Sequence, residues 1–350
     1  MSTRLQRNPE PPRVAIACQG GGSHTAFTAG ALKTIVRRAE TGRYRIAALS
    51  GTSGGAICAL LTWYGLVKHA AGSWTTSQTV ALLDDFWRDN SALLTSEKAW
   101  NDWIVATVAL QGQLPQLESS PYSPQRTLLA ALLDSATPRK EFLDLEALLR
   151  KHLDPNDIQK IVLEPRLLIG AVEVRSGEFA VFDSWQTGER GISIDAVLAS
   201  AALPLVFRAV EIGGGAYWDG LFSQNPPIRP LIQGLKRDEK PDEIWVIRIN
   251  PQERSTVPTS VEAIEDRRNE LAGNLSLNQE LAFVYAVNAW LAEGILIAPA
   301  KKQIAVRTIE ISDELSSRLD YASKLNRDPQ LIADLINDGE KRATEFLDAL

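Results

Sequence analysis

Ser53 lies in the stretch LSGTSGGAICALL, residues 49–61, where Gly51 and Gly55 give it a G-x-S-x-G frame. An apolar run precedes the frame and an apolar, helix-like run follows it. A chain turning sharply from strand to helix needs minimal side chains two residues before and two after the serine; Gly51 and Gly55, with Gly54 beside them, meet that need. The serine then stands at a helix N-terminus, where free N–H groups and the helix dipole favour a developing negative charge. The pattern points to a nucleophile. Its plain alternative is a glycine turn with a capping serine.

Two further stretches carry chemistry. In CQGGGSHTAFTAG, Gly20, Gly21 and Gly22 follow one apolar strand and precede a helix, so their N–H groups can converge on a point that no Cβ blocks. Such a loop makes an oxyanion hole or a phosphate cradle. A dinucleotide fingerprint fails because Thr25 stands where its third glycine belongs, and no GK[ST] follows for a nucleotide loop. In YWDGLFSQNPP, residues 217–227, Asp219 precedes Gly220, and Asn225 with Pro226 and Pro227 fixes an extended stretch beyond it. Asp-Gly alone is commonly no more than a turn.

A nucleophilic serine needs a base, and the chain has only three histidines. His69 lies 16 residues beyond Ser53, about 24 Å along a continuous helix, and is out of reach. His152 closes an amphipathic helix, where a cation suits the dipole and a surface role is expected. His24 sits near the glycine loop, at the oxyanion side and so at the wrong end for a base. No histidine follows Asp219, so the order Ser, Asp, His of an α/β-hydrolase triad cannot be met.

The elements that must hold these residues read as α/β. VAIAC (14–18) and RIAALS (45–50) are continuous apolar runs, as expected of strands buried on both faces of a parallel sheet. TAFTAGALKTIVRRAE (25–40) is the helix between them, completing a βαβ unit with a right-handed crossover. AICALLTWYGLV is apolar on every side and reads as a buried helix. EFLDLEALLRKHLD (141–154) reads as one amphipathic helix. RLLIGAVEV and GEFAVFD flank RSG as a hairpin, and DAVLASAALP is a small-residue helix stopped at Pro204. IWVIRIN (244–250) and QIAVRTIEI are later strands. Residues 260–295 read as a helix charged on one side, and the closing stretch from Asp328 as an amphipathic helix.

Residues 1–13 read as a loose leader, 14–300 as one catalytic unit, and 301–350 as a strand and helix packed on that unit. Within it, 73–125 is a helical insertion without a convincing strand, a candidate lid. Trp63, Trp74, Trp87, Trp100 and Trp103 fall within 41 residues, all but Trp63 inside this insertion, together with Phe86 and Tyr122. They form either a lid or acyl pocket touching a lipid interface, or packing against the sheet; packing is the expectation for most.

Composition narrows the partners. A net charge of −6 argues against nucleic-acid binding and gives no bulk attraction to anionic lipid, so any peripheral membrane contact is local and apolar. Cys18 and Cys58 sit in apolar runs and read as buried free thiols of a reducing compartment. No Sec signal and no transmembrane helix is visible, so a cytoplasmic location is expected.

Four motifs in this order resemble those of the patatin-like lipid acyl hydrolases: Gly20-Gly21-Gly22, Gly51-Thr52-Ser53-Gly54-Gly55, Ala199-Ser200-Ala201-Ala202-Leu203-Pro204, and Asp219-Gly220. The resemblance spans residues 14 to about 250. It implies a mainly parallel central sheet flanked by helices in three layers, and a Ser–Asp dyad without histidine. Ser53 is then the nucleophile, Asp219 the general base and Gly20–Gly22 the oxyanion loop, with Gly51, Gly54, Gly55 and Gly220 in support. The implied substrate is a lipid ester, a phospholipid or another acyl ester, and the chemistry needs no metal, calcium or cofactor.

The chain departs from the family at three places. His24 and Thr25 follow the triplet where Arg or Lys and then Gly are usual, which leaves His24 as a candidate anchor of the loop. Gln19 stands where an acidic residue is common, and Leu221 where Gly or Ala is usual. Two other readings stay open. The missing basic patch suits a soluble thioesterase or short-chain carboxylesterase, and the substitutions suit a non-catalytic lipid-binding protein on the same fold.

Overall fold

The computed structural model describes residues 10–113, 139–159, 164–204, 206–297, 299 and 301–350. Its strands are β1 (Arg13–Cys18), β2 (Arg45–Thr52), β3 (Arg166–Glu173), β4 (Phe179–Asp183), β5 (Val210–Ile212), β6 (Gly215–Asp219), β7 (Glu243–Arg248) and β8 (Ala305–Glu310). They form one sheet in the order β5-β6-β3-β2-β1-β7-β8, with β4 also on β3. The run from β3 through β2, β1 and β7 to β8 is parallel, whereas β4 and β6 lie antiparallel to β3.

Helices cover both faces. They are α1 (Ala26–Ala39), α2 (Gly54–Ala70), α3 (Thr76–Asn90), α4 (Thr95–Gln113), α5 (Leu145–His152), α6 (Ile194–Ser200), α7 (Val261–Ala292) and α8 (Pro329–Asp348), with one-turn pieces between them. Alternate side chains of each central strand point to opposite faces, and this divides the core in two. Val14, Ile16, Leu49, Ile169 and Ile247 pack with α1, α2, α3 and α8 on one face. Ala15, Ala17, Leu168, Ile244 and Val246 pack with Leu277, Leu281 and Val284 of α7 on the other. The result is helix, sheet, helix. Continuous apolar strands follow from this, because both faces are covered.

Several expectations are corrected in detail. The amphipathic stretch 141–154 is not one helix. Asp144 takes an extended conformation and caps α5, accepting from the amides of Glu146 (2.9 Å) and Ala147 (3.3 Å), which ends a one-turn helix at Leu143. His152 is not at the surface. It lies under α3, with Nε2 3.0 Å from Asp89 and its ring beside Phe86, and burial lowers its pKa against the pull of Asp89. The outward side of α7 is apolar as well as charged, with Val261, Ile264, Leu271 and Leu275 exposed, while the buried Glu280 turns inward to the amides of Ile228 and Arg229.

Trp63, Phe86 and Trp87 are buried in the core and Trp74 packs on it. Trp100 and Trp103 stack on each other at 4.9 Å, with Trp103 exposed. Tyr122, the later part of the expected insertion and most of the leader fall outside the described residues. Strand β8 is hydrogen-bonded along β7, and α8 packs on α1, where Gly339 meets the backbone of Phe27 and Ala31.

Candidate active site

Strand registers bring Ser53 and Asp219 together. Thr52, the last residue of β2, pairs with Gly170 of β3. Asp219, the last residue of β6, pairs with the next residue, Ala171. Gly170 and Ala171 each have β4 on their other edge, so β2 and β6 share one edge of β3. Because β2 runs parallel to β3 and β6 antiparallel, their C-terminal ends meet head on. The elbow serine and the aspartate are therefore delivered to one place from opposite directions.

Ser53 has φ 55° and ψ −131°, the one positive-φ residue other than glycine among those described. Holding a side-chain-bearing residue there costs on the order of 1–3 kcal/mol, so neighbours must enforce it. Gly51 packs on the backbone of Gly55 and Ala56, and Gly55 lies 2.7 Å, measured from an added Cβ, from the Gln19 carbonyl. Gly54 sits against Thr25 and the Gly22 carbonyl, so any side chain there would strike the glycine loop. Ser200 completes the clamp. Its Oγ accepts the Ser53 N–H at 2.9 Å and donates to the Gly170 carbonyl at 2.6 Å. Two residues on, the Ala202 carbonyl accepts the Asp219 N–H at 3.0 Å. One short segment at the C-terminal end of α6 thus holds the amides of both residues.

Asp219 is 2% exposed. Burial pushes its carboxyl up from 3.8 to about 6, and hydrogen bonds from the Ser53 side chain and the Leu221 amide oppose that rise. The Leu221 N–H donates to Oδ1 at 2.8 Å. Gly220 lies against the Gly170 carbonyl, 3.0 Å from Thr52 Cγ2 by the same Cβ measure, and any larger residue would push the aspartate away from the elbow. A carboxylate so placed is ionised at neutral pH yet more basic than a surface aspartate, as a general base should be.

The glycine loop lies beside the serine, for a Cβ on Gly20 would be 2.9 Å from Ser53 Cβ. Its three amides are not equivalent. Gly20 gives its N–H to Asn225 Oδ1 at 2.7 Å, so it anchors the loop and is not a free donor. Among the described residues, no acceptor takes the N–H of Gly21 or Gly22 or that of Gly54. These amides are available to an oxyanion. Gln19 holds the loop from below, accepting from the Ile249 and Asn250 amides (3.0 and 3.1 Å) and donating to Asn274 Oδ1 (2.9 Å) and the Gly273 carbonyl (3.2 Å). An ionised acid could not make the last two bonds. The amide at position 19 is therefore matched to this chain's own α7.

The histidines are placed away from proton transfer. His24 is buried, with Nε2 2.8 Å from Ser323 Oγ; that hydroxyl donates to the Asp320 carbonyl, which leaves neutral His24 as the donor. Burial, with the Lys324 charge adding to it, pulls the His24 pKa down to about 3. His69 Nδ1 meets the Trp74 carbonyl at 3.0 Å. Among the described residues there is no cluster of metal-ligating side chains, and no helix is long and apolar enough to cross a membrane.

The sequence carries no signal for the hydrogen bonds of Ser200 and Asn225, although both residues lie in recognisable motifs. Ser323 and Lys324 carried no signal at all, being some 300 residues from the loop they touch.

Comparison with known proteins completes the picture. A family model described as patatin-like phospholipase matches residues 16–232. No protein of curated function matches the chain. Among solved structures, VipD from Legionella pneumophila is similar at 13% identity and TM-score 0.45, covering 97% of this chain and 67% of that one. ExoU with SpcU from the Pseudomonas aeruginosa type III secretion system is similar at 14% identity and TM-score 0.34, covering 95% and 53%. The chain thus spans about half to two thirds of those longer chains. With the family model covering well over half of its residues, the chain belongs to the patatin-like phospholipase family.

Proposed function

We propose that this chain hydrolyses lipid esters through a Ser53–Asp219 dyad and an acyl-enzyme. Asp219 takes the Ser53 hydroxyl proton as Oγ attacks the ester carbonyl carbon. The carbonyl oxygen becomes an oxyanion facing the free amides of Gly21 and Gly22, with Gly54 at the start of α2 adding its own N–H. As the tetrahedral species collapses, the carbon–oxygen bond to the leaving alcohol breaks, and Asp219 returns its proton to that alcohol. Water then attacks the acyl-enzyme, giving its proton to Asp219; Ser53 leaves reprotonated and the fatty acid departs. Metal chemistry has no part in this sequence.

The observation that carries the reading is the head-on meeting of β2 and β6, which places a strained serine and a buried, moderately basic aspartate side by side without histidine. The test is a substrate panel comparing phospholipid vesicles, neutral lipid emulsions and short p-nitrophenyl esters, with Ser53→Ala as the blank. Ser53-dependent release of fatty acid from lipid supports the proposal. Turnover confined to soluble short esters or thioesters replaces it with a soluble esterase, and no Ser53-dependent turnover of any acyl ester replaces it with a binding protein.

A further inference from the structure

The glycine loop is held from two sides, and one residue joins both holds. Before the triplet, Gln19 is fixed by the amides of Ile249 and Asn250 at the end of β7. After it, His24 is tied to Ser323. Between them, Gly22 has φ 58° and packs directly on the backbone carbonyl of Lys324, a contact that leaves no room for a side chain at position 22. The Lys324 side chain then reaches back to the first hold, donating from Nζ to Asn250 Oδ1 at 3.0 Å and to Asn269 Oδ1 at 2.5 Å. The segment itself is pinned to α7, where Asp266 accepts the Tyr321 N–H at 2.9 Å.

The charge on Lys324 is unusual for its place. Among the described residues no carboxylate lies within ion-pair distance of it; Asp266 and Glu270 act on it only from farther off. Glu270 is already paired with Arg254 and Arg267. A packed ammonium without an ion-pair partner is costly unless hydrogen bonds, here those to Asn250 and Asn269, offset it. Its ammonium sits on Asn250, whose N–H is bonded to Gln19 beside the triplet, and its own carbonyl lies against Gly22, so the charge stands close to the loop; it also disfavours protonation of His24. The same field favours negative charge at the neighbouring amides of Gly21 and Gly22.

We infer that Lys324, outside the matched family region, is a positioning residue for this hydrolase: its carbonyl and ammonium lock the Gly20–Gly22 loop, and its charge supports the oxyanion formed there. The inference rests on the proposed hydrolysis for its kinetic part alone; the lock is a structural claim testable without substrate.

The experiment compares wild type with Lys324→Met, Lys324→Arg and Ser323→Ala. Amide hydrogen exchange reads the lock at Gln19, Gly20, Ile249 and Asn250, whose N–H groups are all bonded. Lys324→Met speeds exchange at these four at least about tenfold, with β1 and β2 unchanged, and Ser323→Ala speeds Gln19 and Gly20. With a Ser53-dependent ester, Lys324→Met lowers kcat about 10- to 100-fold at a KM within about twofold, as expected for a misplaced loop, and Lys324→Arg recovers most of it. Unchanged exchange at the four amides overturns the lock. An unchanged kcat in Lys324→Met, or a loss that Lys324→Arg fails to recover, overturns the role of the charge. A wild-type protein inert to all esters refutes the hydrolase reading and with it the kinetic part, while exchange still decides the lock.

Discussion

Thr52 and Asp219 pair with adjacent residues, Gly170 and Ala171, on the same edge of β3. No side-chain interaction is needed to bring elbow and aspartate together; backbone register does it. The chemistry of the site can therefore be tested by changes that leave the sheet alone.

The pH dependence follows from Asp219. As general base it works only when ionised, and its carboxyl titrates at about 6. The kcat/KM for a neutral ester should rise about tenfold per pH unit below 6 and level off above it. A limb near pH 4, the ordinary aspartate range, would show that the base is not buried as described.

Stability should run the other way. A carboxyl with a folded pKa raised from 3.8 to about 6 favours the folded state below 3.8, and that advantage is lost as pH rises through about 6. At ~1.4 kcal/mol per pH unit, the buried charge costs about 3 kcal/mol at pH 7.5. Asp219→Asn keeps an acceptor for the Leu221 amide and removes the charge. Urea unfolding should find it more stable than wild type by up to about 3 kcal/mol at pH 7.5 and nearly equal at pH 4; equal stabilities at both would contradict the buried charge.

Much of this site was legible in the sequence, for particular reasons. Ser53 is announced by glycines that a sharp strand-to-helix turn requires, and the buried parallel strands by apolar runs without alternation. Asp219 emerged from a resemblance and from counting histidines, since Asp-Gly alone is a common turn. The spent N–H of Gly20 was not legible, because Asn225 meets it only after the chain has crossed the sheet. Asp144 broke an expected helix because its apolar pattern continues across a residue that caps better than it propagates. His152 reads as a surface residue because its helix is amphipathic, whereas α3 covers that end.

The strain at Ser53 has a separate signature. Glycine accepts φ 55° where alanine does not. Ser53→Gly should exceed Ser53→Ala in stability by about 1 kcal/mol or more by thermal or urea unfolding, both being inactive. A less stable glycine variant would mean the elbow is unstrained.

Ser200 should matter to both fold and rate. Ser200→Ala leaves the Ser53 amide without an acceptor and the buried Gly170 carbonyl without its donor, at a cost of about 1–3 kcal/mol. The rate should fall further than stability alone explains, since the elbow loses its clamp. A kcat within twofold of wild type would show that α2 and the glycines hold Ser53 unaided.

The central claim is the dyad, and one comparison tests it most directly: turnover of a single acyl ester by wild type, Ser53→Ala and Asp219→Asn, with fluorophosphonate labelling measured on the same samples. The account predicts no labelling and no turnover in Ser53→Ala. In Asp219→Asn it predicts a folded protein whose turnover and labelling rate fall by about 10²–10⁴-fold. Wild-type turnover by Asp219→Asn would contradict it.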